Sequence, residues 1–190
     1  MFGSCSETFN PSKYMESIPD SLRYKTAHGR DVFGGGGILP DYIVKPDTTP
    51  VMRTLLGNGL DVRFVRHWFI EHEGELRDTW GDRQDAFTAD FDISPEVWDE
   101  FWVYSAENGV KTTTVASKVD HSEGIFAREE VDEHRTEIET YIRARLAQEL
   151  FGNRAWYTIY KEIDPEIRES MKMWDRATTL AAYSTSDGMR

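Results

Sequence analysis

Apolar positions change their spacing near Pro46 and Pro50, and that change divides the chain. Beyond it they recur three and four apart, the spacing of a helix that buries one side. Thr49-Pro50 is a helix start, because Thr caps free amides and Pro suits the first turn. It predicts a short helix over Val51–Leu56, stopped by the turn Gly57-Asn58-Gly59. Residues 60–72 then place Leu60, Phe64, Val65, Trp68 and Phe69 on one broad stripe, and Gly74 and Gly81 are expected to interrupt the chain beyond it. Ser94-Pro95-Glu96 is a second start, opening an aromatic helix with Val97, Trp98, Phe101, Trp102 and Tyr104 that ends before Gly109. The β-branched run Lys111–Val119 predicts extended or looped chain. Arg128–Phe151 is expected to be the longest helix, with Val131, Ile138, Ile142 and Leu146 inward and a stop at Gly152-Asn153. A short helix around Trp156–Ile163 comes next. Asp164-Pro165-Glu166 then restarts a helix carrying Ile167, Met171 and Trp174.

Before Pro46 the texture is different. Residues 13–45 are rich in glycine and turns, with short extended runs at Leu22–Thr26 and Tyr42–Val44. Asp41–Val44, bounded by Pro40 and Pro46, predicts a short strand, since proline breaks a ladder. The expected fold is therefore mainly α: a short Gly-rich β arm over 13–47 and an α-helical C-terminal domain over 48–183. Residues 1–12 and 184–190 are expected to be flexible ends, and no repeat of solenoid spacing is present.

Composition adds that the helices can close a core. Hydrophobic residues make up 39% and aromatics 13%, enough apolar area to argue against general disorder. The formal charge of −12 repels phosphate backbones and anionic lipid, so neither a nucleic-acid partner nor a membrane-surface role is expected. The single cysteine, Cys5, excludes a disulfide within the chain and a Cys-rich zinc site. No stretch approaches the roughly 20 apolar residues of a membrane helix, and Met1–Asn10 has no export-signal pattern.

Candidate chemistry is sparse. His67 and Glu71 share a helix face, but His72 lies about 140° round the helix from His67, unlike the four-residue spacing of helical zinc sites. Ser117-Lys118 and Ser12-Lys13 are adjacent pairs whose side chains diverge, so neither makes a Ser/Lys dyad. His121 and His134 stand isolated in acidic sequence. The pairs Asp90 with Asp92 and Glu129 with Glu130 have no distinguishing context. The aromatic groups Trp98, Phe101, Trp102, Tyr104 and Trp156, Tyr157, Tyr160 have the spacing of core packing. No catalytic residue, metal ligand or cofactor is expected in this chain.

One segment is specific. It runs from Tyr24-Lys25-Thr26-Ala27-His28-Gly29-Arg30 to Gly34-Gly35-Gly36-Gly37-Ile38-Leu39-Pro40-Asp41. Four glycines in a row make a side-chain-free crossing between extended segments. A phosphate loop would need Lys and Ser or Thr after the glycines and then a helix, but here Ile38-Leu39-Pro40 comes instead.

The segment resembles the end of the catalytic domain in C-terminal-processing (tail-specific) serine peptidases, which carry Y-x-T-x-x-G-R and then G-x-G-I-x-P-D. Tyr24, Thr26, Gly29 and Arg30 match the first part; Gly35, Gly37, Ile38, Pro40 and Asp41 match the second, with Gly34 and Gly36 completing the run. Ile18-Pro19-Asp20-Ser21-Leu22 and the helical remainder, notably Tyr157 to Pro165, are also similar. The resemblance implies a parent endopeptidase of the periplasm or cell envelope that cleaves proteins near their C-terminal tails. Its Ser/Lys dyad and PDZ domain would lie upstream of Tyr24. This chain would then be a non-catalytic structural or regulatory portion, with those upstream domains as partners, the parent's protein substrates nearby and homo-oligomers open. The other reading is a free-standing helical interaction module whose arm adds a strand to a partner's sheet.

Overall fold

The computed structural model describes residues 18–25, 31–34, 48–175 and 177–178. Contacts divide the chain into two units, Pro46–Arg168 on one side and Met1–Lys45 with Glu169–Arg190 on the other. The chain is mainly α-helical, and the strands among the described residues are three residues long.

In the arm, β1 (Arg23–Lys25) pairs antiparallel with β2 (Asp31–Phe33), Tyr24 opposite Val32. β1 falls within the extended run expected at Leu22–Thr26, whereas β2 has no distinct signal in the sequence. The strand expected at Asp41–Val44 lies outside the described residues. A 3-10 turn at Asp20–Leu22 leads into β1.

The helical unit begins as its caps direct. Thr49 Oγ1 accepts from the Met52 amide at 3.5 Å, and α1 (Pro50–Gly57) starts there. α2 (Leu60–Trp80) is a 21-residue helix that runs unbroken through Gly74. That corrects the expected interruption there. One exposed glycine lowers helix propensity by only about 1 kcal/mol, and the buried stripe from Leu60 to Leu76 outweighs it. α3 (Gln84–Asp90) is short and buries Phe87. α4 (Pro95–Glu107) starts where Ser94 Oγ accepts from the Val97 amide at 3.4 Å.

Two strands, β3 (Lys111–Thr113) and β4 (Ile125–Ala127), pair in parallel, with Thr112 opposite Phe126. Parallel strands need a crossover, and here it is made of 3-10 turns at Ala116–Lys118 and His121–Glu123. Gly124 closes it with φ +70°. A Cβ there would stand 2.5 Å from the Gly109 carbonyl oxygen, so both backbone angle and space demand glycine.

The helix expected over Arg128–Phe151 is two: α5 (Arg128–Glu133) and α6 (Arg135–Phe151), parted at His134. α2, not this segment, is the longest helix among the described residues. No glycine or proline marks the break. It lets α5 lie against β3 and β4 while α6 lies against α2, a tertiary demand that overrides local propensity. Val131, Ile138, Ile142 and Leu146 are all buried, as their spacing requires.

At Gly152, φ +88°, α6 ends and α7 (Asn153–Tyr160) starts at once. Ala144, Ala147 and Ala155 are fully buried, and their small side chains admit the close α6–α7 contact, the most extensive in the unit. The core lies between α2 and this pair. Phe87 sits within it, stacked on Phe91 at 4.4 Å and edge-on to Phe151 and Trp80. Asp164 Oδ1 then accepts from the amides of Glu166 and Ile167, at 2.8 and 3.1 Å, to open α8 (Pro165–Lys172).

Candidate functional site

Of the motif residues, Tyr24 and Gly34 are described. Thr26, Gly29, Arg30, Gly35, Gly36, Gly37, Ile38, Pro40 and Asp41 lie outside the described residues. The Gly34 amide donates to the Leu22 carbonyl at 2.8 Å, extending the hairpin by one step. The Tyr24 ring covers Gly34 so closely that a Cβ there would be 2.7 Å from Tyr24 Cε2. The first glycine of the run is thus the floor beneath the motif's tyrosine.

The other candidate groups do not converge. His67 stacks on Tyr104 and His72 on Trp68, the latter with Nδ1 2.9 Å from the Trp68 carbonyl oxygen. Among the described residues no three His, Cys, Asp or Glu side chains are arranged to hold a metal. Ser117 and Lys118 stand side by side on an exposed 3-10 turn, outside any enclosed site in which a dyad could form. Asp90, Asp92 and Glu129 are exposed, and Glu130 is half-buried against His121. The aromatic groups divide: Trp98, Phe101 and Trp102 are core, while Tyr157 is 64% exposed.

A polar cluster that no sequence spacing indicates lies where α2, α6 and α7 meet. Asp61, buried in the first turn of α2, accepts from Arg145 Nε at 2.8 Å. The positive end of the helix dipole further compensates its charge. Arg145 also donates from Nη1 to Gln148 Oε1 at 3.0 Å, and Gln148 Nε2 donates to Asn153 Oδ1 at 2.7 Å. The guanidinium lies 5.2 Å from the Trp156 ring, which stacks on Tyr160 at 4.3 Å. Tyr160 meets Tyr141 hydroxyl to hydroxyl at 3.5 Å. Burial, then the Tyr160 contact and the charges of Glu137 and Asp61, push the Tyr141 phenol above its ordinary range.

This cluster holds three helices in register. It contains no nucleophile beside a base, so its chemistry is that of a lock. An open groove between the start of α3 and α7 is lined by Asp82, Arg83, Asp85, Arg154 and Thr158. Its opposed charges favour no one ligand class.

Residues 51–152, the span from α1 through Gly152, match the model of a family of unknown function, DUF8443. The chain belongs to that family. The match takes in Asp61, Arg145 and Gln148 of the lock and ends before Asn153, Trp156 and Tyr160, which complete it. Neither a curated protein nor a solved structure matches the chain. No helix among the described residues is long and apolar enough to cross a membrane.

Proposed function

We propose that the chain is the C-terminal part of a C-terminal-processing serine endopeptidase, non-catalytic itself, with its helical domain in a structural or regulatory role. The observation that carries this reading is the fit of Tyr24 over Gly34. Tyr24 of the motif and Gly34, which directly precedes the matched glycines, meet ten residues apart in one hairpin, with the tyrosine ring packed over the glycine. The hairpin itself supports the same view. Two strands of three residues, with β1 exposed along its length, are too small to stand alone in water. They suit the margin of a larger sheet, which the upstream peptidase domain would supply. The parent would act on proteins near their C-terminal tails, in the periplasm or cell envelope.

The closed core of Pro46–Arg168 favours a second reading, a free-standing helical interaction module. Immunoblotting of source cells with serum against this chain separates the two. A band several-fold larger than 22.0 kDa, yielding peptides with an upstream Ser and Lys, is the expected result. A lone band at 22.0 kDa overturns the peptidase reading in favour of the module.

A further inference from the structure

The turn at residues 120–123 holds two contacts that respond oppositely to protons. Asp120 Oδ1 accepts from Ser122 Oγ at 2.6 Å, from the Ser122 amide at 3.0 Å and from the Glu123 amide at 3.3 Å. These bonds, that of the Ser122 hydroxyl foremost, hold the Asp120 carboxyl below its ordinary range. The adjacent His121 stacks on Phe126 with ring centres 4.9 Å apart, and its Nε2 lies 3.0 Å from Glu130 Oε2. Phe126 belongs to β4 and is fully buried, and Glu130 belongs to α5. His121 thereby joins the turn to both elements. The backbone closes the same loop: the amides of Asp120 and Ile125 each donate to the other's carbonyl, at 2.9 and 2.8 Å.

We propose that this turn is a proton-gated clasp, fastened onto β4 and α5 when His121 is protonated while Asp120 and Glu130 are ionised, and looser on either side of that window. The two contacts set the signs. A carboxylate whose bonds favour the charged form loses them as pH falls through its titration, so the Asp120 end opens in acid. Protonating His121 turns a neutral contact with Glu130 into a charge-assisted one, so the other end tightens as pH falls through the histidine range. Carboxylates are generally ionised above about pH 5 and histidines protonated below about pH 6, which sets the fastened window between mild acid and neutrality. The charged groups on the surrounding elements are Asp120 and Glu123 on the turn, Lys118 on the 3-10 turn before it, Lys111 on β3, and Arg128, Glu129, Glu130, Asp132 and Glu133 on α5. β4 contributes no titratable group.

Amide exchange on the whole chain tests this, read as protection factors so that intrinsic pH effects cancel. The reporters are Glu123, Gly124 and Ile125, whose amides all close the turn. Protection should be about two- to fivefold higher near pH 5.5 than at pH 8, the scale of a partly exposed ion pair. It should fall again below about pH 4 as carboxylates protonate. His121→Gln should abolish the rise from pH 8 to 5.5 and keep the loss in acid. Glu130→Gln should do the same, and helical circular dichroism checks that each variant folds. Equal protection at pH 8 and 5.5 would overturn the clasp. So would a rise that survives both substitutions, since it would then come from the overall net charge.

Discussion

α7 and α8 are both eight residues long and both carry an apolar side, yet they end in opposite environments. α7 buries Ala155 and Ile159 completely against α6. α8 buries nothing, and Ile167, Met171 and Trp174, spaced four and three apart along its direction, are 41%, 67% and 71% exposed. The apolar stripe therefore predicts a helix with a side to cover and says nothing of what covers it. What buries α7 is the surface of α6. Ala144 and Ala147 of α6 leave room for α7, and the Arg145 network ties α7's first turn in place.

Substitutions sharpen that contrast by size. Ile159→Ala should cost about 2–5 kcal/mol in urea unfolding, because it opens a cavity in a filled core. Trp174→Ala, a larger deletion, should stay within about 0.5 kcal/mol. A Trp174→Ala cost above that of Ile159→Ala would show that the stripe on α8 is covered in solution.

Arg145→Met should cost about 2–4 kcal/mol, since it strands the buried Asp61 carboxylate, and Asp61→Asn in the same background should recover part of the loss. An additive double mutant would mean that the pair contributes nothing.

Alkaline unfolding tests the α6–α7 seam. The Tyr141 phenol titrates higher in the folded chain than in the unfolded one, so its stabilising effect is present below the ordinary tyrosine range. That effect should be lost as pH rises above about 10, where only the unfolded chain ionises readily. Tyr141→Phe should move the alkaline midpoint upward; an unchanged midpoint would place the linkage elsewhere.

Asp164→Ala removes the bonds that open α8 and should weaken that helix by about 1 kcal/mol. The loss should appear in amide exchange of α8 and leave the global urea midpoint in place. A matching global shift would join α8 to the cooperative core.

Ser105→Ala is the smallest effect. Its hydroxyl is fully buried with no hydrogen-bond partner among the described residues, so alanine should stabilise the unit by about 0.5–1 kcal/mol in the same unfolding measurement. A loss instead would reveal a bound water or an unrecognised acceptor.

The mainly α fold is legible in the sequence because its signals are local. Thr49-Pro50 and Ser94-Pro95 cap the helices they announce, and the Leu60, Phe64, Trp68 stripe is buried. Tyr24 and the glycine run that starts at Gly34 stand out in the sequence, though their contact does not. The lock is not legible. Asp61 and Arg145 are 84 residues apart, and each alone looks like an ordinary helix-surface charge. His121 likewise looks isolated along the chain, because Glu130 and Phe126 reach it only after β4 folds back beside β3.

By itself the sequence determined where the helices opened by proline, α1, α4 and α8, begin and which positions of the longer helices face inward, since caps and periodicity act within a few residues. Tertiary structure decided that Arg128–Phe151 breaks at His134, that α7 is buried and α8 exposed, and that Asp61 finds Arg145. Those outcomes depend on which surfaces meet, and contacts between distant segments leave no trace in local spacing.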